Sequence, residues 1–508
     1  MGAPPRPGFS GARILSYCAE HYRALALLVL LLAAGNLTVR LDREFLTDWD
    51  ESLYTTSAWE MVQSGQWIGT TFHGSLDYYN SKPPLNVWMI AASFKAFGVG
   101  LVQARIPSVI CAWLTVLALM WWARRTWGAT VSLCAGIVLA TSFGFLHVHA
   151  GRSANADAPF ALAVLLMAIT LSVAHDRPWR LALLGPLAAV AFLLKGFGVL
   201  LPLMMVALVL AVKWRQAPLL WRPLAAALVV FLLPVSAWAI ARWQVDGIEF
   251  FRQMVTNDAI GVTTTVQDNH SGSLFYYLDT LQKHEVNWLV AAMAAGIVAL
   301  SWREVRQRLL FWRLDTTSMV VGAFVVATLA VPTAMQTKLA WYLNPFYPVF
   351  ALLVGWLIAR SLQVPSAAMR RSCAAVFVLM ALVAEGRIVY YSFRYRDIDR
   401  HRQGLLLREA AVLRGHHVHA AAWAPADQFV LEAIVGGQPV TSREPIALSR
   451  SDAGEDYLFA VGTAEQNDLK SIGCRGAGCL YGLMPTLAEA ESESSPEATP
   501  PRPENSIE

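Results

Sequence analysis

The chain has 508 residues, of which 56% are apolar and only 15% charged, against a globular norm of about 45–50% and about 25%. That composition, with a mean hydropathy of +0.44 and repeated long apolar runs, excludes a soluble enzyme, a disordered chain and a collagen-like chain. The net charge is +4, but the basic residues stand singly between apolar runs and form no patch interleaved with aromatics, which excludes nucleic acid as a partner.

In chain order, Arg6, Arg13 and Arg23 precede an apolar run from Ala24 to about Val39. No small-residue cleavage site follows before Asp42, so the run reads as a first membrane helix and not as a cleaved signal. Further spans are expected near 105–123, 130–150, 157–174, 180–194, 197–212, 223–241, 287–301, 316–334, 341–359 and 373–391, about eleven in all. With a cytoplasmic N-terminus and 84–97 not crossing, Arg124, Arg125, Arg177, Arg180, Lys213, Arg215, Arg222, Arg303, Arg306, Arg308, Arg313, Arg360, Arg370 and Arg371 all fall in inner loops, as the positive-inside rule requires. Letting 84–97 cross inverts every later loop, so Asn86 to Phe97 is expected to lie on the outer face as an interfacial helix.

This topology divides the chain into a cytoplasmic N-terminus (1–23), a membrane domain (24–391) with long outer loops at 42–104 and 243–286, an outer domain (392–488) and a tail (489–508). In the outer domain, strands at Val418–Ala424, Tyr457–Val461 and Leu480–Met484 and a helix at Ala426–Val435 suggest a small α/β fold. The Pro-, Ser- and Glu-rich tail is expected to be disordered. Cys474 and Cys479 lie in the outer domain, where an oxidising compartment permits a disulfide, and the sequence leaves that pairing open. His416, His417 and His419 have no nearby acid in sequence and read as surface histidines, not metal ligands.

Charge at membrane depth is expensive, so polar residues at the outer boundary need a role. Asp48, Asp50 and Glu51 in TDWDES follow the first span directly. Tyr78, Tyr79 and Lys82 lie in DYYNSKPPLNVW, where Pro83 and Pro84 forbid helix through Lys82 and hold it in an extended segment. Arg152 and Asp157 in GRSANADAPF bracket a short outer turn, where taken alone a salt bridge between them is the expected arrangement. The apolar run 181–213 would be about 50 Å long as one helix, beyond the roughly 30 Å hydrocarbon core, so it must break, and Lys195-Gly196 is the place. Lys338 and Tyr342 in QTKLAWYLNPFYP share a face if helix extends that far, which Pro345 opposes. Several cations converging with two carboxylates at headgroup depth suit a lipid-linked phosphate, held by charge-assisted hydrogen bonds.

The stretch from Trp49 through Lys82-Pro83, then GRSANADAPF, LLKGFGVLLP and KLAWYLNPFYP, in that order, resembles bacterial membrane glycosyltransferases of the GT-C class. The resemblance is to the lipid A aminoarabinose transferase family and the related dolichyl-phosphate-mannose protein mannosyltransferases. It implies a mainly α polytopic fold of about 11–13 transmembrane helices in the bacterial inner membrane, with interfacial helices in the first outer loop and a site facing the periplasm. The implied donor is a polyprenyl-phosphate-linked sugar, transferred with inversion to a lipid, glycan or protein acceptor. Asp50 matches the acid of the family's Asp-Glu pair and Asp157 the acid of its second loop, and both are candidate catalytic residues. Lys82 matches its phosphate-binding lysine, Lys195 its Lys-Gly motif, and Lys338 with Tyr342 its late motif. Glu51, Tyr79 and Arg152 join them as candidate substrate-binding residues. The aminoarabinose branch has an Arg three residues after the first Asp and a Glu before Lys-Pro, where this chain has Leu53 and Ser81. That Glu resembles a zinc ligand, so neither a divalent metal nor aminoarabinose as the sugar carries over directly. A transporter or flippase of a lipid-linked phosphate is the alternative reading, although only one helix break is visible.

Overall fold

The computed structural model describes residues 11–174, 177–212, 217–267, 269–302, 315–441, 450–451, 454–461 and 469–483. Arg6, Lys213, Arg215, Arg303, Arg306, Arg308, Arg313, Met484 and the 489–508 tail, used in the topology and domain readings above, lie outside the described residues. The chain divides into two units, Met1–Asp397 and Ile398–Glu508.

The first unit is almost wholly helical. After α1 (Gly11–Glu20) and α2 (Tyr22–Thr38), the first long loop carries α3 (Asp50–Ser64), a small hairpin of β1 (Thr71–Phe72) and β2 (Ser75–Leu76), and α4 (Leu85–Phe97). Then come α5 (Leu101–Trp127), α6 (Ala129–Ala140), the short α7 (Phe143–His147), α8 (Asp157–Val173), α9 (Leu184–Lys195), α10 (Leu200–Val212) and α11 (Ala217–Asp246). A second loop holds α12 (Glu249–Gln253), a π-helical turn over Met254–Gly261 and α13 (Val262–Thr264), and the unit finishes with α14 (Tyr276–Ser301), α15 (Thr316–Ala334), α16 (Tyr347–Ser361) and α17 (Ala367–Arg394). Among the described residues, eight segments are long and apolar enough to cross a membrane. One of them, Pro178–Val212, is divided, and Ala129–Ala140 and Asp157–Val173 are shorter apolar helices, which together recover the eleven expected spans. Small residues let the helices approach: a Cβ on Gly355 of α16 would lie 2.5 Å from the Ala135 backbone nitrogen of α6, a backbone contact of the kind that replaces hydrophobic drive inside a bilayer.

Two boundaries differ from the sequence reading. The expected 130–150 span stops at Ala140, where Ser142 caps α7 by accepting from the Phe145 amide. The second long loop is shorter than 243–286, because α11 runs on to Asp246 and α14 begins at Tyr276. The start of α14 was hidden by Glu285, a buried acid in mid-helix with non-helical backbone angles (φ −126°, ψ 27°). Its Oε1 accepts from Ser142 Oγ at 2.7 Å and the Gly144 amide at 2.8 Å, so one oxygen of the buried group is satisfied.

The break at Lys195-Gly196 lies where the length argument places it. Gly196 has φ +50° and ψ −120° and starts a 3-10 turn to Val199. Its Cα faces the Lys-Pro loop, since a Cβ there would lie 3.4 Å from Pro83 Cδ and 3.8 Å from Met254 Sδ. Gly196→Ala is therefore expected to cost about 1–3 kcal/mol from backbone strain. Thermal unfolding in detergent checks this, and an unchanged midpoint would show the turn to be tolerant.

The second unit has α18 (Arg402–Arg408), α19 (Ala410–Leu413), α20 (Pro425–Phe429) leading into a π-turn over Val430–Val435, and a five-stranded sheet. Strand order is β4 (Gln438–Thr441), β3 (His417–Ala420), β7 (Tyr457–Val461), β9 (Gly478–Leu483) and β8 (Leu469–Arg475), with the first three parallel and the last two antiparallel additions. A separate hairpin pairs β5 (Arg450–Ser451) with β6 (Gly454–Glu455). Cys474 and Cys479, opposed across β8 and β9, form a disulfide. Parallel pairing of β3 with β7 brings Asp456 to 3.5 Å from the His417 ring and 3.4 Å from that of His419. The sequence reading found no acid there, because the contact is made only across the sheet. Among the described residues, no group of three such side chains is placed to hold a metal ion.

Candidate active site

The site is assembled from the first long loop, the turn before α8, the break after α9, the π-turn and the approach to α16. Lys82 follows an Asx turn in which Asp77 Oδ1 accepts from the amides of Tyr79 (2.9 Å) and Asn80 (3.1 Å). Pro83 and Pro84 then set the extended entry to α4. Burial works against the Lys82 ammonium, but Tyr54, Asp258 and Asp50 around it outweigh that penalty and hold its pKa well above the ordinary lysine value, so the group stays charged.

Asp50 opens α3, where a carboxylate suits the positive pole of the helix. The residue before it, Trp49, has φ +70° and ψ −125°, a conformation costing a non-glycine residue about 1–3 kcal/mol. Asp157 likewise opens α8, and its Oδ1 accepts from Lys195 Nζ at 2.7 Å. The Lys195 ammonium also lies 5.7 Å from the Phe160 ring and 6.0 Å from that of Tyr342. Tyr54 and Tyr342 tie the halves together, each within electrostatic reach of Lys82, Asp50, Asp157 and Asp258. Asp258, on the π-turn one turn beyond Met254, keeps a buried Oδ2 with no hydrogen-bond partner. His149, in a left-handed conformation (φ 56°), stacks on Trp341 at 3.9 Å. Burial lowers its pKa, with Asp157 and Asp50 pulling the other way, which leaves a neutral ring at pH 7.

Other expected members lie elsewhere. Arg152 does not pair with Asp157. It is buried, and its Nε and Nη2 donate to Glu44 Oε1 at 2.8 and 2.5 Å, while Asn36 O (2.5 Å) and Val39 O (2.7 Å) accept from Nη1 and Nη2. The end of α2 thus claims the guanidinium, leaving Asp157 to Lys195. Glu51 is also fully buried: its Oε1 accepts from Arg105 Nε at 2.9 Å and the Ala154 amide at 3.0 Å, and its Oε2 from the amide and hydroxyl of Thr47. Through Ala154, Glu51 fixes the turn bearing Asp157 against the start of α3 bearing Asp50, and both of its oxygens are engaged within the protein. Lys338 is not on a helix with Tyr342, because 3-10 helix begins only at Ala340. Its ammonium folds back onto the carbonyls of Pro332, Thr333 and Met335 at the end of α15, satisfying orphan acceptors of the last turn. Tyr79 is 57% exposed and lies with Trp49 at 6.1 Å between rings, open at the entrance.

Arg105, Glu44 and Arg396 were not singled out from sequence. A signal existed for the first: an arginine inside the apolar run at 105–123 is costly and implies a buried partner. Burial raises the Glu51 pKa, but Arg105, Arg396 and the Thr47 amide bring it down to about 2 from 4.5. A depressed carboxyl pKa contributes stability above pH 4.5 that is lost as pH falls towards 2. About 3 kcal/mol is at stake in total, of which about 2 kcal/mol is lost by pH 3. Comparing unfolding of wild type and Glu51→Gln between pH 7 and pH 3 tests this, the variant being expected to lack that part of the acid dependence.

Ser81, directly before Lys82, has a buried hydroxyl with no hydrogen-bond partner. A neutral hydroxyl is a poor ligand for zinc, and among the described residues no cluster is placed to hold a metal ion. The residues present do not fit a divalent metal here.

Residues 81–240, which include Lys82, Asp157 and Lys195, match the family model described as dolichyl-phosphate-mannose-protein mannosyltransferase. The undecaprenyl phosphate-alpha-4-amino-4-deoxy-L-arabinose arabinosyl transferase of Pseudomonas aeruginosa is 28% identical over 68% of this chain and 61% of its own length. The enzyme of the same name from Pseudomonas paraeruginosa is 29% identical over the same shares. The chain thus spans about six-tenths of the length of these curated relatives. Crystalline ArnT from Cupriavidus metallidurans, bound to undecaprenyl phosphate, superposes with a TM-score of 0.67 at 18% identity, over 91% of this chain and 98% of that one. The chain thus shares the fold of crystalline ArnT and is similar in sequence to the aminoarabinose and dolichyl-phosphate-mannose transferases.

Proposed function

We propose that the protein is an inverting glycosyltransferase of the bacterial inner membrane. It takes a sugar from a polyprenyl phosphate and transfers it, on the periplasmic side, to an acceptor in the cell envelope. One observation carries the reading. Two cations from distant segments, Lys82 and Lys195, are joined at Gly196 and Pro83 and share Tyr342 and Tyr54 with Asp50 and Asp157. That arrangement suits a ligand anionic at one atom cluster and reactive at the next. The undecaprenyl-phosphate arabinosyl transferases it resembles, and the neighbouring structure bound to undecaprenyl phosphate, support a polyprenyl phosphate as donor.

The transfer is a single displacement. An acceptor oxygen forms a bond to the sugar C1 as the bond from C1 to the phosphate oxygen breaks, and polyprenyl phosphate leaves. Lys82 and Lys195 neutralise charge building on the leaving phosphate. A hydroxyl acceptor delivers its proton to Asp50, whereas a phosphate acceptor is already ionised and is oriented by Asp50. Asp157 holds Lys195, and Tyr342 lines the lysine. A lipid A phosphate is one acceptor that fits; a glycan or protein hydroxyl is another. Reconstitution in liposomes with a labelled undecaprenyl-phosphate sugar and lipid A tests the proposal. Release of undecaprenyl phosphate with labelled acceptor supports it, and label crossing the bilayer without that release would mark a flippase.

A further inference from the structure

The chain leaves the last membrane helix beside the loop that bears Asp50. Arg396, two residues beyond α17, is 7% exposed, and its guanidinium faces the two carboxylates of the buried network from the side that Arg105 and Arg152 leave open. Its Nε lies 4.0 Å from Glu44 Oε2 and its Nη2 3.9 Å from Glu51 Oε2, whereas Arg105 and Arg152 bond the Oε1 atoms. The backbone around it is pinned: the Phe45 amide donates to Arg396 O at 3.1 Å, Glu44 and Asp397 form a β-bridge, and Arg40 Nη2 lies 3.2 Å from Asp397 Oδ1. Arg396 Nη2 and Glu44 Oε2 are both buried without a hydrogen-bond partner, so Arg396 acts on both acids by charge and not by a fixed fork.

We infer that Arg396 is a positioning residue for transfer, clamping Glu44 and Glu51 so that the strained Trp49-Asp50 turn keeps its carboxylate directed at Lys82. The inference rests on the reading that Asp50 serves glycosyl transfer. Arg105 and Arg152 bond only the Oε1 atoms; Glu44 Oε2 has no hydrogen-bond partner and Glu51 Oε2 has only Thr47, so the charge of Arg396 holds the side of both carboxylates that the other two arginines leave open. Lys82, Lys195 and Tyr342 are held by other elements, so donor affinity does not depend on this clamp.

The test uses the full-length protein in liposomes with a labelled undecaprenyl-phosphate sugar and lipid A as acceptor, comparing wild type, Asp50→Asn, Arg396→Ala and Arg396→Lys. Arg396→Ala is expected to lower kcat by about 10–100-fold, the scale of a roughly 1 Å misplacement, with KM for the donor changed less than about threefold. Arg396→Lys, keeping the charge, is expected to recover most of the rate, which a loss of general packing would not allow. Wild-type kcat in Arg396→Ala beside an inactive Asp50→Asn overturns the inference while the functional reading stands. No transfer by wild type overturns the reading itself. If Arg396→Ala fails to accumulate, Arg396→Gln replaces it, and equal rates for the Gln and Lys variants overturn the charge clamp.

Discussion

Asp50→Asn is expected to lower transfer to a hydroxyl acceptor by about 10²–10⁴-fold, the usual contribution of a positioned general base, with folding and donor binding close to wild type. Asparagine keeps the shape of the side chain and its place at the first turn of α3, so it removes proton acceptance and one of the charges beside Lys82 while leaving Asp258 there. Lys82→Ala should behave differently, because on the proposed mechanism the ammonium meets the phosphate in both the bound donor and the departing group. Donor affinity and turnover then fall together, the turnover by about 10²–10³-fold. Single-turnover rates beside donor-binding isotherms separate the two patterns. An Asp50→Asn enzyme with near-normal transfer to a hydroxyl acceptor would remove the base role, and an unchanged rate on a phosphate acceptor would assign Asp50 to proton transfer alone.

Arg105→Met carries the largest expected loss of stability. Arg105 and Glu51 are both fully buried, and the guanidinium also donates to the carbonyls of Leu41, Glu44 and Phe45. Removing one member leaves the Glu51 carboxylate without its main partner and three carbonyls without donors, a change worth about 3–5 kcal/mol. The double variant Arg105→Met with Glu51→Gln should be less damaging than the sum of the two, since the stranded charge is then gone. Thermal unfolding of all three in one detergent measures the coupling. Strict additivity would show that the pair does not act as a unit.

Part of this was legible in the residues. The break at Gly196 follows from counting apolar residues against bilayer thickness, and the placement of Lys82 from two successive prolines, since both arguments depend only on local backbone rules. Partner choice was not legible. Arg152 stands five residues from Asp157 in sequence, yet the end of α2 supplies Glu44 and two carbonyls that local spacing does not reveal. Lys338 shares a face with Tyr342 only if helix reaches back that far. The chain instead enters 3-10 geometry only at Ala340, and the open carbonyls of α15 capture the ammonium. Glu285 concealed the first turns of α14 because a charge in an apolar stretch reads as a boundary unless its partners, here Ser142 and Gly144, are known in advance.

The ion pair of Lys195 with Asp157 joins opposite poles of two helices, since α9 ends at the lysine and α8 begins at the aspartate. Each charge is therefore steadied by its own helix as well as by the other. An arriving lipid phosphate that draws the ammonium away leaves the aspartate still compensated by the amides of α8. On the proposed function, capture of the phosphate at Lys195 is then an exchange of one oxygen partner for another.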